Sequence, residues 1–330
     1  MKVLITGANG FLGRALVTAF LARGHQVRAL VRPATGVDGL WGNEVEIVRA
    51  DLRSPPPLKS AFEGVGALVH LAADITGSDE DQFQATVVGT ERLLAAMADS
   101  GTSRLVLASS FTVYDWATAR DRLDESTPIA SNLDERGRYT VAKVWQERVA
   151  RQASEEHGFE LTVLRPGFIW GHGNESLAGM GQSVGRLHFV VAGTRLPLSY
   201  VENCADCFVT ATENPAAIGQ TFNVVDDEDI SAWKYMGEYL HRTSQSGVRV
   251  PVPYWLGLSL AQLIQWTAKL LLGPTPKLPS IAMPARFMAR FKPLRFPNDR
   301  LRRRLGWHPL YSFETGLSRT YERTSPTNAL

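Results

Sequence analysis

The sequence has few of the features that mark secreted, membrane-spanning or nucleic-acid-binding proteins. Only two cysteines, Cys204 and Cys207, occur in 330 residues. That number is too small for a disulfide framework and favours a reducing compartment, so we expect a cytoplasmic protein. No basic segment followed by an apolar stretch opens the chain, and a secretory leader is not expected. The formal net charge is only +2 and no base-reading motif is present, so we expect no nucleic-acid partner.

A long uninterrupted apolar run is also missing. The most apolar segment, residues 252–273, is interrupted by Gln262, Gln265 and Lys269, where a membrane span would be apolar. We interpret it as an amphipathic helix near residues 259–272. Cys204 and Cys207 form a C-x-x-C pair in a segment predicted as a helix of the C-terminal cap, with no His or Cys cluster to complete a metal site. We therefore expect no metal.

Short β-branched runs alternate with longer helical segments from Lys2 to about Leu164. This alternation predicts βαβ units around a parallel sheet that is covered on both faces. The predicted strands are residues 3–6, 26–31, 45–49, 67–71, 104–109 and 161–164, and the clearest helices are residues 11–23 and 86–100. Beyond Arg165, Gly- and Pro-rich loops and short strands such as residues 221–224 predict a smaller mixed α/β cap. We place a nucleotide-binding domain at residues 1–165 and a mainly substrate-binding cap at residues 166–330, with part of the chain returning to the sheet.

Three glycines follow the first strand in TGANGFLG, directly before a predicted helix. Gly7 permits a tight turn, Gly10 lets the backbone approach a pyrophosphate, and Gly13 lets the helix pack against the strand, while the helix N-terminus supplies free N–H donors. Asn9, Phe11 and Leu12 belong to the same turn. The sequence therefore predicts a dinucleotide site.

Tyr139 and Lys143 lie four residues apart in YTVAK, on one face of a predicted helix. Hydride transfer to or from a carbonyl requires a matching proton transfer on its oxygen, and a tyrosine beside an ammonium group suits that task. The fifth strand ends in SSFTVY, so Ser110 lies at the carboxyl edge of the sheet, where ligands bind in open α/β folds. Ser110 can hydrogen-bond the substrate oxygen, with the neighbouring Ser109 as its rival.

These motifs, with LRPGFIWG, resemble the extended branch of the short-chain dehydrogenase/reductase superfamily. That branch includes sugar-nucleotide epimerases and dehydratases, flavonoid-type reductases and 3β-hydroxysteroid dehydrogenases. The resemblance implies a doubly wound Rossmann sheet and a catalytic set of Ser110, Tyr139 and Lys143. Further cofactor contacts that it implies are Asp51, Leu52, Leu71, Ala72, Ala73, Ser109, Tyr139, Lys143, Pro166 and Ile169. Substrate contacts are expected at Thr112, His172 and Asn203. Thr86 departs from the family pattern, because many members have asparagine there.

Arg32 ends the second strand, where NAD-specific Rossmann enzymes carry an acidic residue for the ribose hydroxyls. An arginine can instead pair with a 2′-phosphate through its planar guanidinium. The alternative is a solvated surface arginine. We expect NADP(H) as the cofactor, in preference to NAD(H).

The function that fits best is an oxidoreductase that interconverts a secondary alcohol and a ketone, with Tyr139 as acid/base. Dehydratases of the resembled type carry an Asp and a Glu where Phe111 and Thr112 stand, so dehydration is disfavoured. Gly167, Phe168 and Trp170 favour an apolar substrate. A nucleotide-sugar epimerase is the first alternative, and a non-catalytic dinucleotide sensor is the second.

Eight basic residues against one acid lie between Arg286 and Arg304, after the apolar helix that carries Trp255 and Trp266. This combination could make weak peripheral contact with an anionic membrane, although an ordinary solvated basic face is the alternative. The resemblance also implies a homodimer, and the expected partner in the site is a small molecule.

Overall fold

The computed structural model describes residues 1–37, 39–53, 58–74, 78–133, 135–273, 276 and 278–322. Twelve strands are present in this part. In chain order they are β1 Lys2–Thr6, β2 Gln26–Val31, β3 Val45–Arg49, β4 Ala67–His70, β5 Arg104–Ala108, β6 Glu160–Pro166, β7 Phe168–Trp170, β8 Gln182–Val184, β9 Leu187–Val191, β10 Leu198–Tyr200, β11 Thr221–Val224 and β12 Val248–Val252.

Ten α-helices connect or follow these strands in the described part of the chain. They are α1 Phe11–Ala22, α2 Asp79–Phe83, α3 Gly89–Ala98, α4 Arg138–His157, α5 Val201–Glu213, α6 Ala232–Arg242, α7 Tyr254–Leu272, α8 Pro284–Phe291, α9 Asp299–Leu305 and α10 Phe313–Glu322. A π-helical turn, Gln84–Val88, joins α2 to α3.

The central sheet has seven strands in the order β11-β6-β5-β4-β1-β2-β3, and every pairing is parallel. The predicted doubly wound sheet is therefore confirmed. From β1 the chain proceeds first to β2 and β3 on one side and then crosses back to β4 on the other. This reversal opens a crevice at the carboxyl ends of β1 and β4, which is where ligands bind in open α/β folds.

The first strand shows why the sheet needs cover on both faces. Val3, Leu4 and Ile5 are all fully buried, and their side chains alternate between the two faces because successive strand residues point in opposite directions. Val3 and Ile5 join a core with residues of α1 and α5, whereas Leu4 joins a core with residues of α3 and α4. A near-continuous apolar run is therefore required in each central strand.

The smaller part of the fold combines two short sheets with helices. β7 pairs with β10, and β8, β9 and β12 form a three-stranded sheet. Their main core surrounds Trp170, whose ring centroid lies 5.1 Å from that of Tyr200, 5.9 Å from that of Tyr235 and 5.4 Å from that of Phe313. β11, in contrast, returns to the edge of the central sheet beside β6.

The predicted elements lie where expected, with local differences at their ends. The helix predicted over residues 86–100 is preceded by α2 and contains the π-helical turn, so it is not a single regular helix. The helix predicted near residues 259–272 begins earlier, at Tyr254. None of the described helices combines the length and the apolarity needed to cross a membrane.

The placement of the C-x-x-C helix in the cap is wrong. Cys204 and Cys207 lie on α5, which packs against α1 and contributes to the core on one face of the central sheet. The local sequence VENCADCF is equally compatible with either location, because an apolar helix face can cover any sheet. Both cysteines are free and fully buried, as expected of structural residues.

We expect both thiols to be unreactive in the folded protein. Burial raises the pKa of Cys204 to about 12 and raises the pKa of Cys207 well above its ordinary value, and only the thiolate reacts with alkylating agents. Treatment with iodoacetamide at pH 8 should therefore label neither cysteine before denaturation and both afterwards, as measured by mass spectrometry. Rapid labelling of the native protein would contradict this assignment.

Candidate active site

The turn between β1 and α1 is built for close approach of an anionic ligand. Gly7 has a φ of +70°, a conformation that side chains other than glycine rarely adopt. A Cβ on Gly13 would overlap the Gly7 carbonyl oxygen and come within 2.7 Å of the Ala8 Cα, so only glycine lets α1 start this close to the strand. No side chain caps α1 in the described structure, which leaves its first N–H groups free to bind a pyrophosphate.

The turn borders a cavity of about 320 Å³ formed at the carboxyl ends of β1, β2, β3 and β4. The predicted residues that line it are Gly7, Asn9, Gly10, Arg32, Asp51, Leu52, Leu71, Ala72 and Ala73. Because Gly7 and Gly10 of the glycine turn also line this cavity, its position suits the adenosine end of a dinucleotide. We call it the adenosine cavity.

Two ion pairs lie in the adenosine cavity. The Arg32 Nη1 atom is 4.0 Å from the Asp74 Oδ2 atom, and 64% of the Arg32 side chain remains exposed. The Arg53 side chain donates hydrogen bonds to both oxygens of the Asp51 carboxylate, which lowers the pKa of that carboxyl. Sequence analysis missed Arg53 and Asp74, although each lies within two residues of a predicted contact.

A second cleft of about 650 Å³ continues from the glycine turn toward the cap. The predicted residues that line it are Phe11, Leu12, Gly13, Ser109, Ser110, Thr112, Tyr139, Lys143, Pro166 and Ile169. The three residues of the predicted catalytic set thus meet in one cleft, although they come from the end of β5 and from the first turns of α4. The two cavities share Gly7, Gly10, Leu71 and Ala73, so one dinucleotide could extend through both.

Burial controls the protonation of the proposed proton-transfer pair. It raises the pKa of Tyr139 to about 12, against a smaller lowering by a hydrogen bond with Ser110. It lowers the pKa of Lys143 to about 7, against a smaller increase from the charge of Glu147. The Lys143 Nζ atom lies 5.9 Å from the centroid of the Tyr139 ring. The phenol is therefore protonated near neutral pH, the form that can donate a proton to a ketone oxygen.

The structure distinguishes between the two neighbouring serines. The Ser109 hydroxyl donates a 2.8 Å hydrogen bond to the Glu147 carboxylate, so it is engaged away from Tyr139. The Ser110 side chain instead lies where it lowers the pKa of Tyr139, and it accepts a hydrogen bond from the Thr112 backbone N–H. Ser110 is thus the serine positioned beside the phenol.

A buried polar network holds Lys143 from behind the cleft, and sequence analysis missed it. The Lys143 ammonium donates to the Gln146 Oε1 atom at 2.8 Å. The Gln146 amide nitrogen lies 3.1 Å from the His70 Nε2 atom and donates to the Thr90 hydroxyl at 3.0 Å. The other His70 nitrogen lies 2.6 Å from the Thr6 hydroxyl. This network links α4 to β1, β4 and α3, and therefore limits how far Lys143 can move.

Thr86, at the position where many relatives of the resembled type have asparagine, belongs to the same region. It is fully buried, and its hydroxyl accepts a 3.0 Å hydrogen bond from the Asp74 backbone N–H. Its carbonyl oxygen accepts hydrogen bonds from the Thr90 hydroxyl and, at 3.5 Å, from Gln146. Thr86 therefore fixes the backbone next to the adenosine cavity and contacts the Lys143 network.

Beneath the serines, Glu147 is the centre of a second buried network. It accepts hydrogen bonds from Arg165 on β6, from Arg151 on α4 and from Ser109. Burial opposes its ionisation, but the charges and hydrogen bonds of the two arginines lower its pKa below the ordinary value. The Arg165 guanidinium also stacks on the Tyr114 ring, 4.6 Å from its centroid. No sequence periodicity marks these residues, because each is a single polar side chain inside an apolar element.

The substrate part of the cleft combines apolar walls with cations. Its apolar side chains include Phe111, Trp116, Phe168, Leu177, Ala285 and Ala289, and its cations include Arg136, Arg286 and Arg290. Arg136 donates hydrogen bonds to the Thr112 and Tyr114 carbonyls, so it supports the wall. Burial and the charge of Arg286 lower the pKa of Arg290, which indicates that an anionic group would be favoured between them.

Two of the three predicted substrate contacts lie outside this cleft lining. Asn203 is fully buried, and its amide group is bonded to Asp226 and to the backbone of Tyr311. His172 is half-exposed, with its Nδ1 atom 3.9 Å from Glu175. Thr112 does line the cleft. Its hydroxyl is buried and has no hydrogen-bond partner among the described residues.

No group of three or more His, Cys, Asp or Glu side chains suited to a metal ion occurs in the described ranges.

Comparison with known proteins agrees with this interpretation of the geometry. The model of the NAD dependent epimerase/dehydratase family matches residues 3–224. The chain is 28% identical to 2-alkyl-3-oxoalkanoate reductase of Stenotrophomonas maltophilia, covering 97% of this chain and 98% of that enzyme. It is 27% identical to 3beta-hydroxysteroid-dehydrogenase/decarboxylase isoform 2 of Arabidopsis thaliana, covering 99% of this chain but only 62% of that protein. UDP-glucose 4-epimerase of Thermotoga maritima has the same fold, with a TM-score of 0.73, 16% identity and coverage of 98% of each chain.

The buried His70 should make stability depend on pH. Burial, and to a smaller extent the charge of Lys143, lowers the pKa of His70 to about 3, whereas an unfolded histidine has a pKa of about 6.5. Below pH 6.5 His70 binds a proton in the unfolded chain but stays neutral in the folded chain. The free energy of unfolding therefore falls as the pH decreases. For this group alone the loss by pH 4.5 is about 3 kcal/mol.

Urea unfolding of the wild type and of His70→Gln at several pH values measures this effect. The substitution also removes hydrogen bonds, which changes the free energy of unfolding by the same amount at every pH. The difference in free energy of unfolding between the wild type and His70→Gln should therefore move by about 3 kcal/mol against the wild type between pH 7 and pH 4.5. A pH-independent difference would mean that His70 is not held neutral by the fold.

Proposed function

Because the chain belongs to the NAD dependent epimerase/dehydratase family, we propose that this NAD(P)-dependent enzyme interconverts a secondary alcohol and a ketone on a largely apolar substrate. The observation that carries the proposal is the apolar and aromatic wall directly beside the phenol. Phe111, Trp116 and Phe168 line the same cleft as Ser110 and Tyr139. Such a wall suits a hydrocarbon body better than a hydroxyl-rich sugar.

The proposed chemistry assigns one task to each polar residue. The nicotinamide cofactor supplies or accepts the hydride when bound. The Tyr139 hydroxyl donates its proton to the substrate oxygen during reduction and takes it back during oxidation. Ser110 donates a hydrogen bond to the same oxygen as charge develops. Lys143, whose Nζ atom is 5.9 Å from the centroid of the Tyr139 ring, is assigned to stabilise the phenolate in its ammonium form, because a nearby positive charge favours the ionised phenol.

An anionic group on the apolar substrate is part of the proposal. Arg286 and Arg290 line the cleft, and the Nε atom of Arg286 is buried with no hydrogen-bond partner among the described residues. A carboxylate between the two guanidinium groups would satisfy both. The name of the Stenotrophomonas relative describes a 3-oxo acid, a ketone that carries such a carboxylate.

Nucleotide-sugar epimerisation is the second candidate, and the same cations favour it, since two arginines also suit a pyrophosphate. The two candidates are separated by a screen of apolar ketones, 3-oxo acids and UDP-sugars, followed by NADPH absorbance and by sugar analysis. Net NADPH consumption with a ketone supports the oxidoreductase. Interconversion of UDP-sugars without net NADPH consumption supports the epimerase instead.

We also propose NADP(H) as the preferred cofactor. Arg32 lines the adenosine cavity at the end of β2 and keeps most of its side chain exposed, so its guanidinium, 4.0 Å from Asp74, can reach a 2′-phosphate by turning about its long side chain. Arg53 lies in the same cavity and adds a second positive charge there, although it is paired with Asp51.

We expect Tyr139→Phe to abolish turnover and to leave cofactor binding intact. The substitution removes only the hydroxyl, so the loss in kcat should be about a hundredfold or more. NADPH affinity, measured by fluorescence titration, should stay within about twofold because Tyr139 is not part of the phosphate turn. Full activity of Tyr139→Phe would exclude the phenol as the proton donor.

Arg32→Asp should reverse the preference between NADPH and NADH. Loss of the charge-assisted hydrogen bond to the 2′-phosphate should weaken NADPH by about tenfold to a hundredfold, while the new carboxylate can accept hydrogen bonds from the ribose hydroxyls of NADH. Arg303→Asp makes the same charge change on an exposed residue of α9 and should leave both affinities unchanged. Equal affinity of the wild type for the two cofactors would contradict the role of Arg32.

A further inference from the structure

Helix α7 packs with its small residues toward the protein and its large apolar residues toward the outside. Of its 19 residues only Ala261 and Ala268 are buried. Gly257 faces α8 so closely that a Cβ there would lie 2.5 Å from the Phe287 ring. A surface helix of a globular protein normally buries its large apolar residues, whereas of these α7 packs only Tyr254 and Leu258 against the protein and exposes the others.

Nine large apolar side chains of α7 are exposed, and we call them the outer face of α7. They are Trp255, Leu256, Leu260, Leu263, Ile264, Trp266, Leu270, Leu271 and Leu272. The exposed fraction reaches 67% for Trp255 and 78% for Leu271. At about 100° per residue eight of these side chains cover about half of the helix circumference, and Leu272, the last residue of the helix, lies outside that half. A contiguous apolar surface of this kind marks a site of interaction.

The stretch of chain that carries α7 has charged residues of one sign. From Tyr239 to Asn298 the sequence contains no Asp or Glu. The same stretch contains the basic residues Arg242, Arg249, Lys269, Lys277, Arg286, Arg290, Lys292 and Arg295. Lys269, on α7 itself, pairs with Glu135 from outside the stretch. An apolar helix within a net basic stretch of chain suits anionic lipid.

The basic run between Arg286 and Arg304 does not act as one face. Arg286 and Arg290 line the cleft from α8. Arg300 and Arg302 lie on α9, which contacts β11 at the edge of the central sheet, and they approach Glu125 and Asp227 respectively. Only the first part of the run therefore adjoins α7.

We propose that the outer face of α7 docks on the surface of an anionic phospholipid bilayer, with α7 parallel to the membrane plane. Trp255 and Trp266 suit the headgroup level, where amphipathic rings are favoured, and the leucines suit the upper acyl chains. A half-embedded helix uses the whole outer half of its circumference, as α7 does.

A second copy of the chain fits this surface less well. In a twofold contact the same surface meets itself, so the net basic stretch that carries α7 would be brought toward its own copy. Like charges brought together at an interface disfavour association. An anionic bilayer instead offers the opposite charge over the whole area.

The position of α7 gives the docking a functional consequence. α8 lies between α7 and the cleft: its Phe287 packs against Tyr254 of α7, while its Ala285 and Ala289 line the cleft. The membrane-facing helix thus supports the wall of the cavity. If the substrate is apolar, as proposed above, it would enter from the bilayer side, whereas the docking itself does not depend on which reaction is catalysed.

Co-sedimentation of the purified full chain with vesicles tests the proposal. The probes are vesicles of phosphatidylcholine alone and of phosphatidylcholine with about one third phosphatidylglycerol. We expect binding to the anionic vesicles that falls with added salt. The double variant Leu263→Glu, Leu271→Glu places two charges on the outer face and should lose about tenfold or more of the partition coefficient.

Leu310→Glu is the matched control, because Leu310 is 59% exposed and lies outside α7. It should bind vesicles like the wild type, and unchanged NADPH binding in all variants shows that the fold is intact. Failure of the wild type to bind anionic vesicles, or equal binding by the double variant, would overturn the proposal. So would a wild-type dimer, seen by analytical ultracentrifugation, that the double variant dissociates, since a second copy would then cover the outer face.

Discussion

The buried ion pair between Glu147 and Arg165 determines where α4 lies against the sheet, and the active site depends on that placement. Glu147 lies one turn after Lys143 on α4 and is tied to Arg165 on β6 and to Ser109 at the end of β5. Leaving either charge without its partner typically costs about 3–5 kcal/mol in a protein interior, so sliding α4 along the sheet is strongly resisted. Tyr139 and Lys143 therefore reach the cleft from a helix whose position along the sheet is fixed by one side chain, that of Glu147.

Much of the fold could be predicted from the sequence because its physical signals are local. The central strands are continuous apolar runs, and the three glycines precede a helix, so the sheet and the phosphate turn follow from residue order alone. Ser110 could be placed at the carboxyl edge of the sheet because it follows a predicted strand, whereas the family resemblance implied that Tyr139 and Lys143 join it. Gln146, His70 and Glu147 could not, since a single buried polar residue has no periodicity, and its role exists only through partners distant in the chain. Asn203 illustrates the converse: the expected substrate contact is a buried link between α5, Asp226 and Tyr311.

The two ends of the cleft have different physical characters. Near the glycine turn the backbone itself forms the surface, so recognition there depends on N–H groups and on the absence of side chains. Near α8 the surface is formed by aromatic and aliphatic side chains with two arginines, and recognition depends on shape and on one or two charges. The end near the glycine turn is determined by the fold, and its N–H groups suit the pyrophosphate that NAD(H) and NADP(H) share. The second is determined by the cap, whose helices are also the ones that expose apolar surface to the outside.

The geometry of the site depends on the number of residues in the π-helical turn Gln84–Val88. A π-turn contains one residue more than an α-turn, so losing one residue there would restore a regular helix and rotate everything before it by about 100°. Thr86 lies within that turn and holds the backbone of Asp74, while its carbonyl oxygen meets Gln146. A deletion in this segment therefore has a different effect from a substitution. Even if Thr86 and its partners were all kept, the loss of one residue would turn the preceding helix away from the cofactor cavity.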